Sequence, residues 1–247
     1  MAPTCVAGLG TSRARDGQGG AATFLSRSRT QPAGTNALTA KPGQLSVREA
    51  KAVLRAEIRA LRKSRGPALR GPAGEAAARH LAELLPRLPP GPVAIFHALP
   101  EEIDTAPAIR LIAQAGRSVV LPRQAGRARP LDFHAFRPGD PLMPGPFGVL
   151  EPIAPAPRLE PAVLIVPLLA FDRRGGRLGY GAGFYDRTIA ALRARGAAPP
   201  VIGLAFAFQE VAAVPLGPSD ARLDLVVTER EIVRCAEAAD DGAALAG

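Results

Sequence analysis

The chain has 247 residues, 47% of them hydrophobic, enough for one sizeable α/β domain or two small ones with a core that needs no disulfide support. Its two cysteines, Cys5 and Cys235, lie near opposite ends with neither metal-ligand spacing nor a secreted disulfide pattern, and its longest apolar runs are too short for a bilayer, which excludes a membrane span. The formal charge of +9 points toward nucleic acid, but Arg13, Arg15, Arg27, Arg29 and Lys41 against Asp16 alone put +4 of it in residues 1–45, and a chain with no Trp and two Tyr lacks stacking platforms, so no nucleic-acid partner is expected.

Residues 1–45 hold nine Ser or Thr, against seven in all that follows, and show no sustained hydrophobic period. Such a segment cannot bury enough apolar surface to offset its ordering entropy, and is read as a disordered basic extension. It is either an organelle transit segment or an upstream stretch translated from an early start codon; the Arg-rich, Lys-poor composition of the chain favours the second, with a cytoplasmic protein. Residues 46–235 form the expected domain, and 236–247 a flexible tail.

Order begins with the capping box Ser46-Val47-Arg48-Glu49. Behind it Leu54, Ile58 and Leu61 form an apolar stripe, while Lys51, Arg55, Arg59 and Arg62 share another face. A second helix is expected from about Ala77 to Leu88, stopping at Pro89-Pro90. Strands follow at Pro92–His97, Ser118–Leu121, Leu131–Phe136, Ala162–Val166, Val201–Phe206 and Leu223–Val227, with helices at Thr105–Ala115 and Phe184–Arg195 between them. That alternation predicts a mainly parallel sheet covered by helices.

The segment from Phe171 to Arg187 carries the chemistry. Gly179, Gly181 and Gly183 follow a strand and open a helix, an arrangement in which backbone N–H groups and the helix N-terminus cradle a phosphate beside the cations Arg177 and Arg187. The spacing fits neither the Walker A nor the Rossmann pattern, and a plain tight turn would also produce it. Both tyrosines, Tyr180 and Tyr185, fall in this segment and suit a ring-bearing ligand. Lys51 and Arg55 lie one turn apart and either converge on an anion or form a solvated face. Glu102 and Asp104 follow a strand's carboxyl end, where open sheets bind ligands, although Asp104 also reads as a cap of the next helix. Asp186 and Asp220 are either turn residues or oxygen ligands for Mg²⁺. His80, His97 and His134 have no zinc spacing, no Gly-x-Ser-x-Gly elbow occurs, and Cys235 sits near an expected frayed terminus.

Taken together, these segments resemble the 5-formyltetrahydrofolate cyclo-ligase family. The resemblance runs from about Lys51 to Glu229: Lys51-Ala-Val-Leu-Arg55, Glu102-Ile-Asp104-Thr105, Phe147-Gly148-Val-Leu-Glu151-Pro152, the Arg177-to-Arg187 signature, Gly203-Leu-Ala-Phe206 with Gln209, and Asp220 before Asp224-Leu-Val-Val-Thr228-Glu229. It implies a single three-layer α/β/α sandwich with a mainly parallel sheet, of the kind shared with sugar-phosphate isomerases and CoA transferases. It also implies ATP- and Mg²⁺-dependent cyclisation of 5-formyltetrahydrofolate to 5,10-methenyltetrahydrofolate through a phosphorylated formyl intermediate. In that reading Lys51, Arg55 and Tyr185 are catalytic, and ATP is bound by Lys51, Arg55 and the run Arg177, Leu178, Gly179, Tyr180, Gly181, Ala182, Gly183, Phe184 and Tyr185. Folate is bound by His97, Glu102, Tyr180 and Tyr185, and Mg²⁺ by Asp186 and Asp220. The protein is expected to act as a monomer, with a homodimer as the alternative. Departures from the family pattern are Gly217 in place of an acid three residues before Asp220, Ala207 in place of an aspartate, and Phe184-Tyr185 in place of Tyr-Tyr. A relative acting on another substrate, or a basic nucleic-acid-binding protein, remains the competing reading.

Overall fold

The computed structural model describes residues 45–153 and 155–235. The expected basic extension (all but Leu45) and the expected tail, 236–247, lie outside those residues.

Ser46 caps α1 (Val47–Leu84) as the sequence predicts: its Oγ accepts the Glu49 amide at 3.3 Å, and the Glu49 carboxylate accepts the Ser46 amide at 2.9 Å. The expectation of two helices is corrected here. α1 is one helix of 38 residues, about 57 Å at the α-helical rise, and it runs through Pro67 and Pro72 before a 3-10 turn at Leu85–Arg87. The prolines remove the donors to the carbonyls of Lys63 and Ala68, four residues back; all four residues are exposed, so those carbonyls are left to water. On the inner side, Gly66 and Gly74 press on segment 101–104: a Cβ would lie 2.9 Å from the Glu101 carbonyl oxygen at Gly66 and 2.5 Å from that of Asp104 at Gly74. Packing on the inner face outweighs the helix-breaking signal on the outer one.

The remaining elements in order are β1 (Val93–Ala94), α2 (Ala106–Gln114), β2 (Val119–Gln124), β3 (Leu131–Phe136), β4 (Leu142–Pro144), β5 (Leu150–Pro152), β6 (Val163–Val166), β7 (Ala170–Phe171), β8 (Arg177–Leu178), α3 (Phe184–Ala194), β9 (Val201–Leu204), β10 (Leu225–Val227) and β11 (Ile232–Arg234). Each expected strand is present, though β1 keeps only two of its six residues. The small hairpins β4–β5 and β7–β8 and the edge strand β11 carry two or three residues each, too few for a period to reveal them.

The main sheet has the order β11-β10-β9-β6-β1-β2-β3. Its five central strands are parallel, with antiparallel β3 and β11 at the edges. Val93 and Ala94 of β1 face Val163 and Leu164 of β6 on one side and Val119 and Val120 of β2 on the other. Alternate residues feed two cores. Val93, Val119, Val163, Ile165 and Ile202 pack under Ala77 and Leu81 of α1 and Ile109 and Ile112 of α2. Ala94, Val120, Leu164 and Val166 pack under Ile189 and Leu192 of α3. Helices thus cover both faces, which makes three layers.

Numbered among themselves, the parallel strands run 2-1-3-4-5, so strand order reverses between β1 and β6. The crevice beyond the carboxyl ends of those two strands is where a sheet of this topology takes a ligand. The stripe Leu54, Ile58 and Leu61 of α1 packs with Leu169, Ala170 and Leu178 of the β7–β8 hairpin, which fixes the basic face of the helix over that crevice.

Candidate active site

A cleft of about 710 Å³ opens at that crevice. Every residue to which the resemblance gives a role lines it: Lys51 and Arg55 from α1, His97 and Glu102 beyond β1, the stretch Arg177–Tyr185 with Asp186 at the start of α3, and Asp220 from the loop before β10. Asp104 does not; it caps α2, its Oδ1 accepting the Ala106 amide at 3.1 Å and pairing with Arg70 at 3.3 Å.

The glycine segment is a cradle. Gly181 (φ 108°) and Gly183 (φ 68°) hold left-handed conformations that other residues avoid, and Gly183 begins α3 with no side-chain cap. The first amides of α3 are therefore free for an anion. Arg55 Nε donates to the Gly179 carbonyl at 2.9 Å, and Arg187 Nη2 donates to that of Ala182 at 2.9 Å, so the cradle is braced from α1 and from α3 itself. That bond uses one donor of Arg55; among the described residues its two Nη groups have no protein acceptor.

Asp186 and Asp220 are neighbours: the amide of Ala221 donates to Asp186 Oδ1 at 3.1 Å. Each carboxylate already has a cation. Arg177 Nη2 lies 2.6 Å from Asp186 Oδ1, and Lys51 Nζ bonds Asp220 Oδ2, which also takes the Gly217 amide at 2.5 Å. Burial works to raise the Asp220 carboxyl, but Lys51 and the Gly217 amide outweigh it and hold the group below its ordinary value of 3.8. Asp186 Oδ2 and Asp220 Oδ1 have no protein donor among the described residues. No cluster of three or more His, Cys, Asp or Glu suited to a metal occurs among those residues. Two carboxylates with one free oxygen each fit Mg²⁺, which commonly completes its shell with phosphate and water.

At the other end Glu102 is buried, 6% exposed. Its Oε2 accepts the Leu99 amide at 2.8 Å, and its Oε1 accepts the Tyr180 hydroxyl. Burial raises its pKa above the ordinary 4.5 although Arg62, Tyr180 and the Leu99 amide oppose it. Burial raises both Tyr180 and Tyr185 too, so both phenols stay protonated. His97 is held below its ordinary value of 6.5 by burial and by Arg70, and is neutral at pH 7.

Three further side chains at the site did not emerge as candidates from the sequence. Arg62, read there only as part of a basic face, is buried and donates to the Tyr180 hydroxyl at 2.5 Å. Phe147 lies at the cleft edge, 73% exposed, with a left-handed φ of 61° that is unfavourable for an aromatic residue, its ring 6.4 Å from that of Phe184 and edge-on. Glu151 is buried beside the cleft, with Oε1 accepting the Gln124 amide at 3.2 Å. The motifs containing Phe147 and Glu151 were the available signal. Other motif residues serve the backbone instead: Gln209 donates to the carbonyls of Leu168 and Leu169, and Asp224 accepts the Val201 amide. Cys235 is paired through its backbone to Asp224 rather than frayed, and burial pushes its thiol up to about 11.

The fold and cleft define an α/β enzyme whose pocket is basic and glycine-lined at one end and acidic and aromatic at the other. The model of the 5-formyltetrahydrofolate cyclo-ligase family matches residues 47–229. The 5-formyltetrahydrofolate cyclo-ligase of Escherichia coli K12 is 34% identical over 185 residues, 71% of this chain and 98% of that protein. That of Haemophilus influenzae is 30% identical over 169 residues, 66% of this chain and 88% of that protein. Among solved structures, the 5,10-methenyltetrahydrofolate synthetase of Aquifex aeolicus superposes with a TM-score of 0.61 at 25% identity, covering 80% of this chain and 96% of that one. The chain belongs to the 5-formyltetrahydrofolate cyclo-ligase family. It is an enzyme of the ligase class, and among its described residues no helix is long and apolar enough to cross a membrane.

Proposed function

We propose that this enzyme closes 5-formyltetrahydrofolate to 5,10-methenyltetrahydrofolate, with ATP converted to ADP and phosphate, and that it acts as a monomer in the cytoplasm. The observation that carries the reading is the two-ended cleft: a glycine cradle with Lys51, Arg55 and Arg177 at one end, and Glu102 with two protonated tyrosines at the other, in one continuous space.

The cradle and the uncapped start of α3 suit the polyphosphate, with the free Nη groups of Arg55 and the ammonium of Lys51 at hand for charge that develops during transfer. Asp186 and Asp220 would hold Mg²⁺, which when bound neutralises phosphate charge there. The formyl oxygen takes the terminal phosphoryl group; N10 then attacks the activated carbon and loses its proton, and the C–O bond breaks as phosphate leaves. Such chemistry needs positioning and charge stabilisation, not a protein nucleophile, and the cleft holds no cysteine and no hydrolase triad. Glu102, the phenols and His97 would orient the ring system.

The test is the rise in near-ultraviolet absorbance of a methenyl-folate on mixing protein, 5-formyltetrahydrofolate, ATP and Mg²⁺. A rise that needs all three and is lost in Asp220→Ala and Arg55→Ala is expected. Folded protein that binds ATP but gives no rise sinks the assignment.

A further inference from the structure

Arg62 is the most deeply buried cation among the described residues, at 1% exposure. A guanidinium in such a place is strongly unfavourable unless its donors are used. Nε donates to the Glu101 carbonyl at 3.2 Å, and Nη1 donates to the Tyr180 hydroxyl at 2.5 Å and lies 3.8 Å from Glu102 Oε1. Nη2, with no hydrogen-bond partner among the described residues, lies 3.7 Å from Glu101 Oε1. Arginine can only donate, so the Tyr180 oxygen must accept from it, and the one phenolic proton is directed onto Glu102 Oε1. The hydrogen-bond directions along this chain are therefore fixed, and they make Glu102 Oε1 an acceptor at its end.

We propose that Arg62 is a positioning residue for capture of the pterin ring: acting through the Tyr180 hydroxyl, it holds Glu102 as an oriented acceptor for the ring's N–H groups. This rests on the cyclo-ligase reading, because the pterin is that reading's substrate. The charged and titratable groups facing Glu102 are Arg62 from α1, Tyr180 from the glycine loop, Tyr185 from α3 and Glu101 on its own segment; Arg62 is the one cation in that set. Burial and the Glu101 charge push Glu102 toward protonation, and Arg62 is the largest opposing influence. Without it the carboxyl takes up a proton at higher pH, and a protonated Glu102 presents a donor where the ring also donates.

The experiment compares wild type, Arg62→Leu, Arg62→Lys and Tyr180→Phe by steady-state kinetics for folate and for ATP from pH 6 to 9, with calorimetric binding of 5-formyltetrahydrofolate alongside. Arg62→Leu should raise the folate KM roughly 10- to 100-fold at pH 7 and leave the ATP KM within about twofold. Its folate KM should then fall with rising pH over a range displaced upward from that of wild type, and Arg62→Lys should recover part of the loss. A merely structural Arg62 would instead lower the active fraction and melting temperature with a flat KM, which overturns the proposal. If Arg62→Leu does not fold, Tyr180→Phe decides, with a folate KM about 3- to 10-fold higher expected and no change overturning the idea. Wild type that cyclises while these variants keep its folate KM overturns this inference alone. Wild type that neither cyclises nor binds the folate overturns both readings, whereas folate binding without cyclisation, lost in Arg62→Leu, sinks only the reaction.

Discussion

Lys51 and Asp220, with side chains 15% and 16% exposed, meet directly at the glycine-lined end of the cleft; Arg62 and Glu102, at 1% and 7%, meet through a phenol at the aromatic end. The first pair keeps contact with solvent, so a ligand can take over either partner without stranding a charge in the interior. The second pair has less freedom: Arg62 keeps only Glu101, 3.7 Å away, as another anion, and without Arg62 the buried Glu102 has no cation beside it. Exchangeable charges suit a site where phosphate comes and goes, and a fixed pair suits one that reads the edge of a ring.

The largest test of this contrast is Asp220→Asn. It should reduce methenyl formation about 100- to 1,000-fold, as measured by the absorbance assay, while shifting the thermal midpoint only slightly. Glu102→Gln should do the reverse in stability: its amide N–H2 would face the Leu99 amide or the Tyr180 hydroxyl where an acceptor now stands, which is expected to reduce the unfolding free energy by about 2 kcal/mol in a urea melt, with the ATP KM unchanged. Equal stability losses in the two variants would break the comparison.

The two carboxyls also predict opposite responses to acid. Asp220 is held below its ordinary value, so its stabilisation is present above pH 3.8 and lost as pH falls through the lower folded value. Glu102 is raised, so its contribution is full below 4.5 and lost as pH rises through the higher folded value. On acidification the stability gap between wild type and Glu102→Gln should therefore widen, and the gap to Asp220→Asn should close, in melts followed by circular dichroism.

The smallest expected effect lies at the cleft edge. Phe147→Gly relieves the left-handed backbone at φ 61° and removes an exposed ring, so it should leave stability unchanged or raise it by up to about 1 kcal/mol. If the ring covers bound folate, the same change should raise the folate KM severalfold. A variant that is less stable would show that Phe147 serves the fold rather than the ligand.

Much of this architecture is written in local pattern. The Ser46–Glu49 box starts α1, the apolar stripe at Leu54, Ile58 and Leu61 meets the β7–β8 hairpin, and the strand runs from Leu131 and Ala162 appear nearly where expected. The glycine segment and the acids at 102, 186 and 220 converge because strand-end loops gather at a switch point. Arg62 was hidden for a physical reason: its spacing from Arg59 is that of any solvated basic face, and only the approach of Tyr180 from 118 residues away buries it. The continuity of α1 was equally nonlocal, resting on the fit of Gly66 and Gly74 against segment 101–104.

The two prolines of α1 have a consequence for exchange with solvent. Losing the bonds to the carbonyls of Lys63 and Ala68 weakens the helical ladder between the turns that carry Lys51 to Arg62 and the turns that carry Ala73 to Leu84. The first set can then open without the second, as a unit of lower protection than the sheet-bound half. Amides near residues 51–62 should exchange with deuterium well before those near 77–84 in the free enzyme, and a ligand gripped by Lys51 and Arg55 should slow the early set alone.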